Sequence, residues 1–139
     1  MSSKYFLDTN ILVYSFSPQF LSKQKKSLAL IGEALEDSAG MISYQVVQEF
    51  LNVALHKFEK PLCWEESYQY FEEVLGPLCS VYPDPELYRH ALRIRHETGY
   101  RFYDSLIIAS AIEGGCRILY SEDLQDGRKI GELSIKNPF

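Results

Sequence analysis

The sequence predicts an α/β fold in which a parallel sheet is covered by helices on both faces. Five short, β-prone apolar runs alternate with segments whose apolar residues recur at helical spacing, an order typical of parallel sheets. Two of the predicted strands lead into an acid, Asp8 after the first and Asp123 after the fourth. Functional groups in such sheets collect beyond the carboxyl ends of the strands, so these acids indicate where a site would form.

The apolar runs and the breaks between them give the individual elements. The predicted strands cover residues 4–8, 41–43, 79–82, 117–120 and 133–136, and the predicted helices are a short one after Asn10 and those over 22–37, 44–60, 64–75, 86–97 and 101–112. We expect Asn10 to cap the first helix, Pro61 to end the third and Gly76-Pro77 to end the fourth. Because repeats, low-complexity tracts and linkers are missing, residues 1–139 are predicted to form one domain.

The totals are those of an ordinary globular protein, with 46% hydrophobic and 24% charged residues. The net charge of −5 argues against a general nucleic-acid coat protein, but it does not exclude a nuclease with an acidic metal site. Cys63, Cys79 and Cys116 form no paired motif and are expected to be reduced thiols. The sequence contains no signal peptide and no membrane-spanning run, so we expect a cytoplasmic protein.

Asp104 is the residue that most needs an explanation. In a helix over residues 101–112 it falls on the apolar face, between Ile108 and Ala111 when viewed down the axis. An ionised carboxylate at a core-facing position is costly unless it is paired, hydrogen-bonded or bound to a metal. We therefore expect a divalent cation to compensate Asp104.

Three further acids are predicted to meet Asp104 at one edge of the sheet. Taken singly, Asp8 is also explained as a helix cap, Glu49 as a solvated residue on a helix flank and Asp123 as a turn former. As a cluster, four carboxylates repel one another and attract a hard cation, and Mg²⁺ or Mn²⁺ suits such a set of oxygen ligands. These ions promote phosphodiester hydrolysis by polarising the phosphoryl group, activating water and stabilising the leaving oxygen.

Other catalytic signatures are missing from the sequence. It has no glycine-rich phosphate-binding loop and no histidine pair at zinc spacing, and we interpret His56, His90 and His96 as surface or core residues. A phosphatase on a related parallel sheet is a weaker alternative, because such enzymes usually require a second acid two positions after the first, where this chain has Asn10.

Four stretches carry the acids and their neighbours. They are DTNILV at residues 8–13, QVVQEF at 45–50, YDSLIIASA at 103–111 and LYSEDLQD at 119–126. Taken together and in this order, they resemble the PIN domain, and within that family they look most like the VapC-like toxin ribonucleases of prokaryotes. The resemblance spans nearly the whole chain. It implies an α/β/α sandwich with a five-stranded parallel sheet and the activity of a metal-dependent endoribonuclease.

The resemblance also implies roles for individual residues. The catalytic acids that would hold Mg²⁺ or Mn²⁺ are Asp8, Glu49, Asp104 and Asp123. Thr9 and Ser121 match hydroxyl positions beside the first and last acids, where they would hydrogen-bond a carboxylate or a water on the ion. Asp126 matches an additional acid of many members, and whether Asp123 or Asp126 lies nearer to the metal stays open.

Toxins of this kind are typically homodimers and are inhibited by an antitoxin, whose C-terminal segment lies across the active-site groove and often supplies an Arg to the acids. We expect the same partners here. The predicted contact surface combines the N-terminal helices, the helix that carries Glu49 and the segment from Trp64 to Leu75, where Tyr68 and Tyr70 are expected to be exposed.

An RNA substrate would need basic and aromatic residues near the acids. The candidate phosphate contacts form two patches, one of Lys23 and Lys26 and one of Arg89, Arg93 and Arg101. A solvated charged face explains each patch equally well. The aromatic residues that would either stack on bases or pack within the protein are Tyr14, Phe16, Tyr100 and Tyr103. The leading hypothesis is an endoribonuclease that leaves 5′-phosphate and 3′-hydroxyl ends, and the main alternative is a PIN-like RNA-binding or regulatory module without turnover.

Overall fold

The strand order puts the first strand in the middle of the sheet. The computed structural model describes residues 3–139. Its strands are β1 (Tyr5–Leu7), β2 (Gly40–Ser43), β3 (Cys79–Val81), β4 (Ile118–Tyr120), β5 (Lys129–Ile130) and β6 (Leu133–Lys136), in the order β3-β2-β1-β4-β6-β5. The neighbours among β3, β2, β1, β4 and β6 pair in parallel. The predicted five-stranded parallel sheet is therefore confirmed.

A sixth strand extends the predicted sheet at one edge. β5 pairs antiparallel with β6 over two residues, with Lys129 opposite Ser134 and Ile130 opposite Leu133. No prediction covered β5, because a two-residue strand has no alternating apolar pattern that a sequence could reveal.

Helices cover both faces of the sheet. They are α1 (Thr9–Tyr14), α2 (Leu21–Asp37), α3 (Tyr44–His56), α4 (Trp64–Tyr70), α5 (Gly76–Leu78), α6 (Pro85–Thr98) and α7 (Phe102–Glu113), with a 3₁₀ turn (Pro18–Phe20) before α2 and a π-helical turn (Phe71–Leu75) between α4 and α5. Because parallel neighbours are joined by right-handed crossovers, α1 to α5 lie on one face and α6 and α7 on the other. The contacts agree, since α1 packs against α2 and α3, and α6 packs along α7. The α/β/α sandwich is confirmed.

Two helix ends differ from the predicted ones. α3 ends at His56 rather than at residue 60, because the N–H groups of Lys57 and Phe58 both turn back to the carbonyl of Val53. The break predicted at Gly76-Pro77 is absent, and the helical backbone continues to Leu78. Pro77 directly follows the π-helical turn, in which the Gly76 N–H donates to the Phe71 carbonyl. The proline, which has no N–H to donate, thus lies where the hydrogen-bond pattern of the helix changes.

The capping residue of the first helix lies two positions earlier in the sequence than the predicted cap, Asn10. This residue is Asp8, whose side chain accepts a hydrogen bond from the N–H of Thr9, and Asn10 lies inside the helix. Ser43 caps α3 in a similar way, with its hydroxyl accepting from the N–H of Val46. Residues that directly follow β1 and β2 thus start the next helix, so that both chain turns lie at the same edge of the sheet.

α2 packs against the sheet through small residues. Its buried side chains are Ser27, Ile31 and Ala34, whereas Leu28 and Leu35, which share the apolar periodicity with Ile31, are 53% and 39% exposed. Leucines in place of Ser27 and Ala34 would hold the helix further from the sheet, whereas these small side chains allow a closer approach. The outward leucines leave an apolar stripe on the surface.

The core lies between the sheet and its two helix layers. Its fully buried strand residues include Phe6, Leu7, Ile42, Leu119 and Ile135.

Cys63, Cys79 and Cys116 are free thiols that range from exposed to buried. Among residues 3–139, no helix combines the length and the apolar character needed to cross a membrane.

We expect Gly40→Ala to destabilise the fold. A Cβ atom at Gly40 would lie 2.4 Å from the Cβ of Ala34 and 2.6 Å from the ring of Tyr5, so the junction of α2, β1 and β2 would have to move apart. Overpacking of this kind costs about 1–3 kcal/mol, measurable as a lower urea midpoint. The control is Gly32→Ala in α2, where a Cβ meets nothing within 4 Å. It should stabilise the protein by ~0.5–1 kcal/mol through helix propensity. Equal effects of the two substitutions would contradict the proposed packing.

Candidate active site

Asp8 and Ser121 meet because the strands before them are paired. Leu7 of β1 lies opposite Tyr120 of β4, and the Asp8 N–H donates to the Tyr120 carbonyl at 3.0 Å. The next residue in each strand therefore emerges at the same edge, where the Ser121 hydroxyl donates to Asp8 Oδ2 at 2.8 Å. From β1 the chain adds β2 and β3 on one side and then returns to β4 on the other. This reversal of strand order creates the crevice in which α/β sheets bind ligands.

The Asp8 carboxylate is buried and surrounded by neutral donors and further acids. Its side chain is 8% exposed, and its second oxygen accepts from the Thr9 N–H at 2.7 Å. Burial raises the pKa of Asp8 to about 6, and the charges of Glu49 and Asp123 push it the same way, while the hydrogen bonds from Ser121 and Thr9 lower it. No basic group contributes to this balance, so ionised Asp8 is costly in the folded protein.

Two hydrogen bonds orient Glu49 toward the same crevice. The Thr9 hydroxyl donates to Glu49 Oε1 at 2.6 Å, and the Gln45 amide donates to Glu49 Oε2 at 3.1 Å. The Gln45 amide also donates to the carbonyl of Tyr103 at 3.2 Å. Glu49 is thus held between α1 and α3, and the Gln45 side chain connects α3 to the start of α7.

Asp104 occupies the first turn of α7 at the rim of the crevice. It is half-buried rather than fully inside the core, although Ile108 and Ala111 on the same helix face are completely buried. Burial raises the pKa of Asp104, as do the charges of Asp123 and Glu49, while Arg101 lowers it. Among the described residues, none donates a hydrogen bond to its carboxylate. The helix face that was predicted to point inward is buried at Ile108 and Ala111. Asp104 lies at the end of this face, where it is partly exposed to solvent.

Asp123 is the fourth acid of the cluster, and Asn10 holds it in place. The Asn10 amide donates to Asp123 Oδ2 at 3.1 Å, and its carbonyl accepts from the Glu122 N–H at 3.4 Å. Asp123 raises the pKa of both Asp8 and Asp104 through its charge. Asp126 is exposed and instead accepts a hydrogen bond from the N–H of Asn137 at 2.9 Å. Of the two acids left open by the sequence, Asp123 is the one that lies near the others.

None of these four acids forms an ion pair with a described residue, although the charge of Arg101 lowers the pKa of Asp104. Within residues 3–139 the ion pairs are Lys23–Glu122, Arg89–Glu86 and Arg117–Glu132, and none includes Asp8, Glu49, Asp104 or Asp123. A set of carboxylates without a basic partner fits Mg²⁺ or Mn²⁺, which prefer oxygen ligands. No three His, Cys, Asp or Glu side chains of the described residues are grouped closely enough to hold one ion directly. Mg²⁺ tolerates this spacing because it usually keeps several waters and binds only one or two carboxylates.

The family of the chain follows from comparison with known proteins. The model of the PIN domain matches residues 5–130. The chain belongs to the PIN domain family. Among proteins with curated descriptions, none matches the sequence significantly.

Solved structures share the fold of this PIN domain. A toxin–antitoxin complex from Klebsiella pneumoniae gives a TM-score of 0.73 at 18% identity and covers 98% of this chain and 98% of its own. DNA-bound VapBC from Salmonella typhimurium gives 0.68 at 20%, with 99% and 100% covered. VapBC2 from Rickettsia felis, bound to a promoter DNA fragment, gives 0.66 at 19%, with 96% and 97% covered. At these identities the similarity establishes the fold.

The basic residues predicted to contact RNA lie in different parts of the PIN domain. Arg101 precedes α7 and acts on Asp104 through its charge. Lys26 is exposed on α2. Lys23 is paired with Glu122 at 2.5 Å, next to Asp123 in the sequence.

Arg89 and Arg93 do not join the acids. The Arg89 side chain forms an exposed ion pair with Glu86 on the same helix. Arg93 lines a cavity with Arg117 and Glu132, which precede β4 and β6, so it lies at the amino-terminal edge of the sheet, opposite the acids. The predicted patch of Arg89, Arg93 and Arg101 is therefore split, because α6 runs antiparallel to the neighbouring strands and carries its basic residues away from the crevice.

The aromatic residues are divided in a similar way. Phe16 packs on Phe50, and Tyr70, which was expected to be exposed, packs between them with ring centroids 5.1 and 5.0 Å away. Tyr14 and Tyr100 are half-buried. The Tyr14 hydroxyl donates a hydrogen bond to Glu122, and the Tyr100 hydroxyl accepts one from the Gln125 N–H. Tyr103, beside Asp104, is 65% exposed.

Sequence reasoning missed two residues that organise the site. Asn10 was expected to cap a helix, and Gln45 was not singled out, yet they position Asp123 and Glu49. Gln45 lies four residues before Glu49, one helical turn away, which is the only local signal that could have indicated its contact.

Asp8→Asn should stabilise the metal-free protein. Because folding raises the Asp8 pKa to about 6, the folded state binds a proton that the unfolded chain has released above about pH 4, so stability falls as the pH rises from about 4 to 6. A shift of about two units corresponds to ~3 kcal/mol at most. We expect a gain of about 1–2 kcal/mol at pH 7.5 in EDTA, because asparagine hydrogen-bonds less well to Thr9 and Ser121.

Urea denaturation across this pH range provides the measurement. The gain should vanish near pH 4, where Asp8 is protonated in both states. The control Asp126→Asn removes one exposed charge outside the cluster and should change stability by less than ~0.5 kcal/mol. Destabilisation of the Asp8→Asn protein at pH 7.5 would show that the carboxylate is compensated.

Proposed function

We propose that this PIN domain is a metal-dependent endoribonuclease, acting as a single domain over residues 1–139, that hydrolyses RNA phosphodiester bonds with Mg²⁺ or Mn²⁺. The observation that carries the proposal is the cluster of four carboxylates without a basic partner at the strand-order reversal of the sheet. Clustered acids destabilise the folded protein, so their retention at a crevice is best explained by a function that requires a divalent cation.

Asp8, Glu49, Asp104 and Asp123 would hold the ion. When bound, a divalent cation supplies Lewis acidity, which neutralises charge on the phosphoryl group and makes water a better nucleophile. The chain contributes orientation. The hydroxyls of Thr9 and Ser121 and the amides of Asn10 and Gln45 fix three of the carboxylates.

Asp104 is the acid best suited to a proton transfer. Its carboxylate accepts no hydrogen bond from the described residues, and burial raises its pKa, both of which make it a better base. We propose that it accepts a proton from the attacking water as the water oxygen bonds to phosphorus and the bond between phosphorus and the 3′ oxygen breaks in line with it. The leaving 3′ oxygen takes up a proton from solvent, so the products would carry a 5′-phosphate and a 3′-hydroxyl.

The RNA backbone would approach the acids along Arg101 and Lys26. Arg101 lies beside Asp104 in the sequence and lowers its pKa, and an exposed guanidinium at this position suits a phosphate. Lys23 is a weaker contact because it is paired with Glu122. Arg89 and Arg93 are left out of this proposal, since the cavity that Arg93 lines lies at the other sheet edge.

We further propose that the protein is the toxin of a toxin–antitoxin pair, forms a homodimer and acts in the cytoplasm, where free thiols remain reduced. The solved structures with this fold include a toxin–antitoxin complex and VapBC assemblies. Exposed aromatic residues support a protein contact on the α1–α5 face, since Trp64 and Tyr68 are 70% and 56% exposed and stack at 5.3 Å. A separate groove on this face combines apolar residues such as Phe16, Val53 and Phe58 with the charged residues Lys57, Glu59 and Lys60.

The alternative of an RNA-binding module without turnover has one supporting observation, namely that no three acids of the described residues are already grouped around a single point. It predicts RNA retention without products in Mn²⁺. A phosphatase is disfavoured, because the position two residues after Asp8 carries the amide of Asn10, which is engaged with Asp123.

Replacing either of two acids should abolish RNA cleavage. Asp8→Asn and Asp104→Asn each remove a carboxylate from the proposed metal set, and we expect the cleavage rate in Mn²⁺ to fall at least about 100-fold. Excess EDTA should abolish the activity of the unmodified protein. The measurement is cleavage of end-labelled RNA, with analysis of the product ends.

The control is Glu113→Gln, which removes one charge from the exposed far end of α7 and should keep full activity. Circular dichroism establishes that each variant is folded. Undiminished cleavage by folded Asp104→Asn, or in excess EDTA, would overturn the proposed mechanism.

The partner proposal predicts a short reading frame next to the gene whose product binds this chain. Co-expression should give a stable complex, and Trp64→Ala should weaken it at least about tenfold, because buried aromatic residues dominate protein interfaces. Leu92→Ala on α6, at a residue that is 57% exposed on the other face of the sheet, should have no effect. A strictly monomeric chain that binds no such product would contradict the proposal.

A further inference from the structure

An uncharged cavity adjoins the acids. It has a volume of about 250 Å³ and lies between α3, α6 and α7, where its lining includes Tyr44, Gln45, Leu87, Tyr88, Phe102 and Tyr103. A second, shallower cavity shares Gln45, Gln48 and Tyr103 with it and is also lined by Glu49. The first cavity therefore adjoins the proposed catalytic crevice through the three residues that it shares with the second.

The composition of the cavity favours a neutral ligand over a phosphate or another charged group. None of the described residues that line it carries a charge, although Glu49 lines the adjoining cavity. The aromatic rings are accessible, since Tyr44, Tyr88 and Tyr103 are 45%, 43% and 65% exposed. Flat, neutral, aromatic groups bind best in such surroundings, by stacking.

The Gln45 amide is held in a fixed orientation at the cavity wall. Its Nε2 group donates to Glu49 Oε2 and to the Tyr103 carbonyl, both of which can only accept. Its Oε1 is buried without a hydrogen-bond partner, out of reach of a ligand in the cavity. Gln45 therefore contributes a rigid, uncharged part of the wall.

We propose that this cavity binds one unpaired nucleobase of the RNA, next to the scissile phosphate. The base stacks on the exposed ring of Tyr103, with Tyr88 and Tyr44 around it. Tyr103 directly precedes Asp104 in α7, so a base seated on its ring leaves the adjoining phosphate at the acids. This inference rests on the proposed ribonuclease function. It adds a separate subsite for the base, which the neutral aromatic walls would bind, whereas the carboxylates with their ion would bind the phosphate.

Neutral nucleosides test the subsite independently of catalysis, because they carry no phosphate and need no metal. Adenosine, cytidine, guanosine and uridine are titrated into ¹⁵N-labelled protein in EDTA, and the side-chain amide signal of Gln45 is followed by NMR. At least one nucleoside should shift this signal, because Gln45 forms part of the cavity wall. Tyr103→Ala should weaken binding at least about fivefold, whereas Tyr103→Phe should stay within about twofold, because stacking needs only the ring.

Leu92→Ala is the matched control, since Leu92 is 57% exposed one turn after Tyr88 on α6 and lies outside the cavity lining. In Mn²⁺, Tyr103→Ala should lower kcat/KM for RNA at least about fivefold. It should have no further effect on an RNA that carries an abasic residue beside the cleaved bond, because the base that would stack is already missing.

The outcomes separate the subsite from the ribonuclease function. RNA cleavage with unchanged nucleoside binding and kcat/KM in Tyr103→Ala would overturn the subsite and leave the nuclease proposal intact. Nucleoside binding that is lost in Tyr103→Ala, without cleavage of any RNA, would support the subsite and overturn the nuclease. Unchanged nucleoside binding together with an altered molecular mass of Tyr103→Ala in solution would show that the cavity is a protein contact, which also overturns the proposal.

Discussion

The pairing of β1 with β4 is the constraint on which the site depends. It brings Asp8 and Ser121, which are 113 residues apart in the sequence, to adjacent positions at one sheet edge. Asp8 then lies where the strand order reverses, with its carboxylate buried and its pKa raised. The sheet therefore does more than support the crevice, because its order determines which acids face each other and how strongly they repel.

Neutral hydrogen-bond donors, rather than basic residues, hold three of the four acids in place. Thr9 connects to Glu49, Asn10 to Asp123 and Gln45 to both Glu49 and α7. Hydroxyls and amides orient a carboxylate without neutralising it, whereas an Arg or Lys in the same positions would form an ion pair and remove the attraction for a cation. Lys23 lies nearby, yet its partner is Glu122 rather than one of the four acids.

Local patterns predicted most of the fold. The parallel strands and the long helices were recognised from apolar runs and periodicity, because each buries one face or one run of neighbouring residues. Asp8 and Asp123 were predicted because they follow strands, and Asp104 because it falls on an inward helix face. Glu49 was predicted from its place in an early turn of the helix after the second strand. β5, the end of α3 and the continuous helix across Gly76-Pro77 were not, since each depends on contacts or backbone turns that the local sequence does not encode.

The sequence by itself determined the order of strands and helices, the family of the chain and the identity of the acids, because all of these depend on residue type and spacing within short windows. Only the tertiary structure decided that Asn10 binds Asp123 rather than capping a helix, that Asp126 lies outside the cluster and that Arg93 lies at the opposite sheet edge. These features are set by the pairing of distant strands and by the direction of each helix across the sheet, and a pattern along the chain carries no information about either.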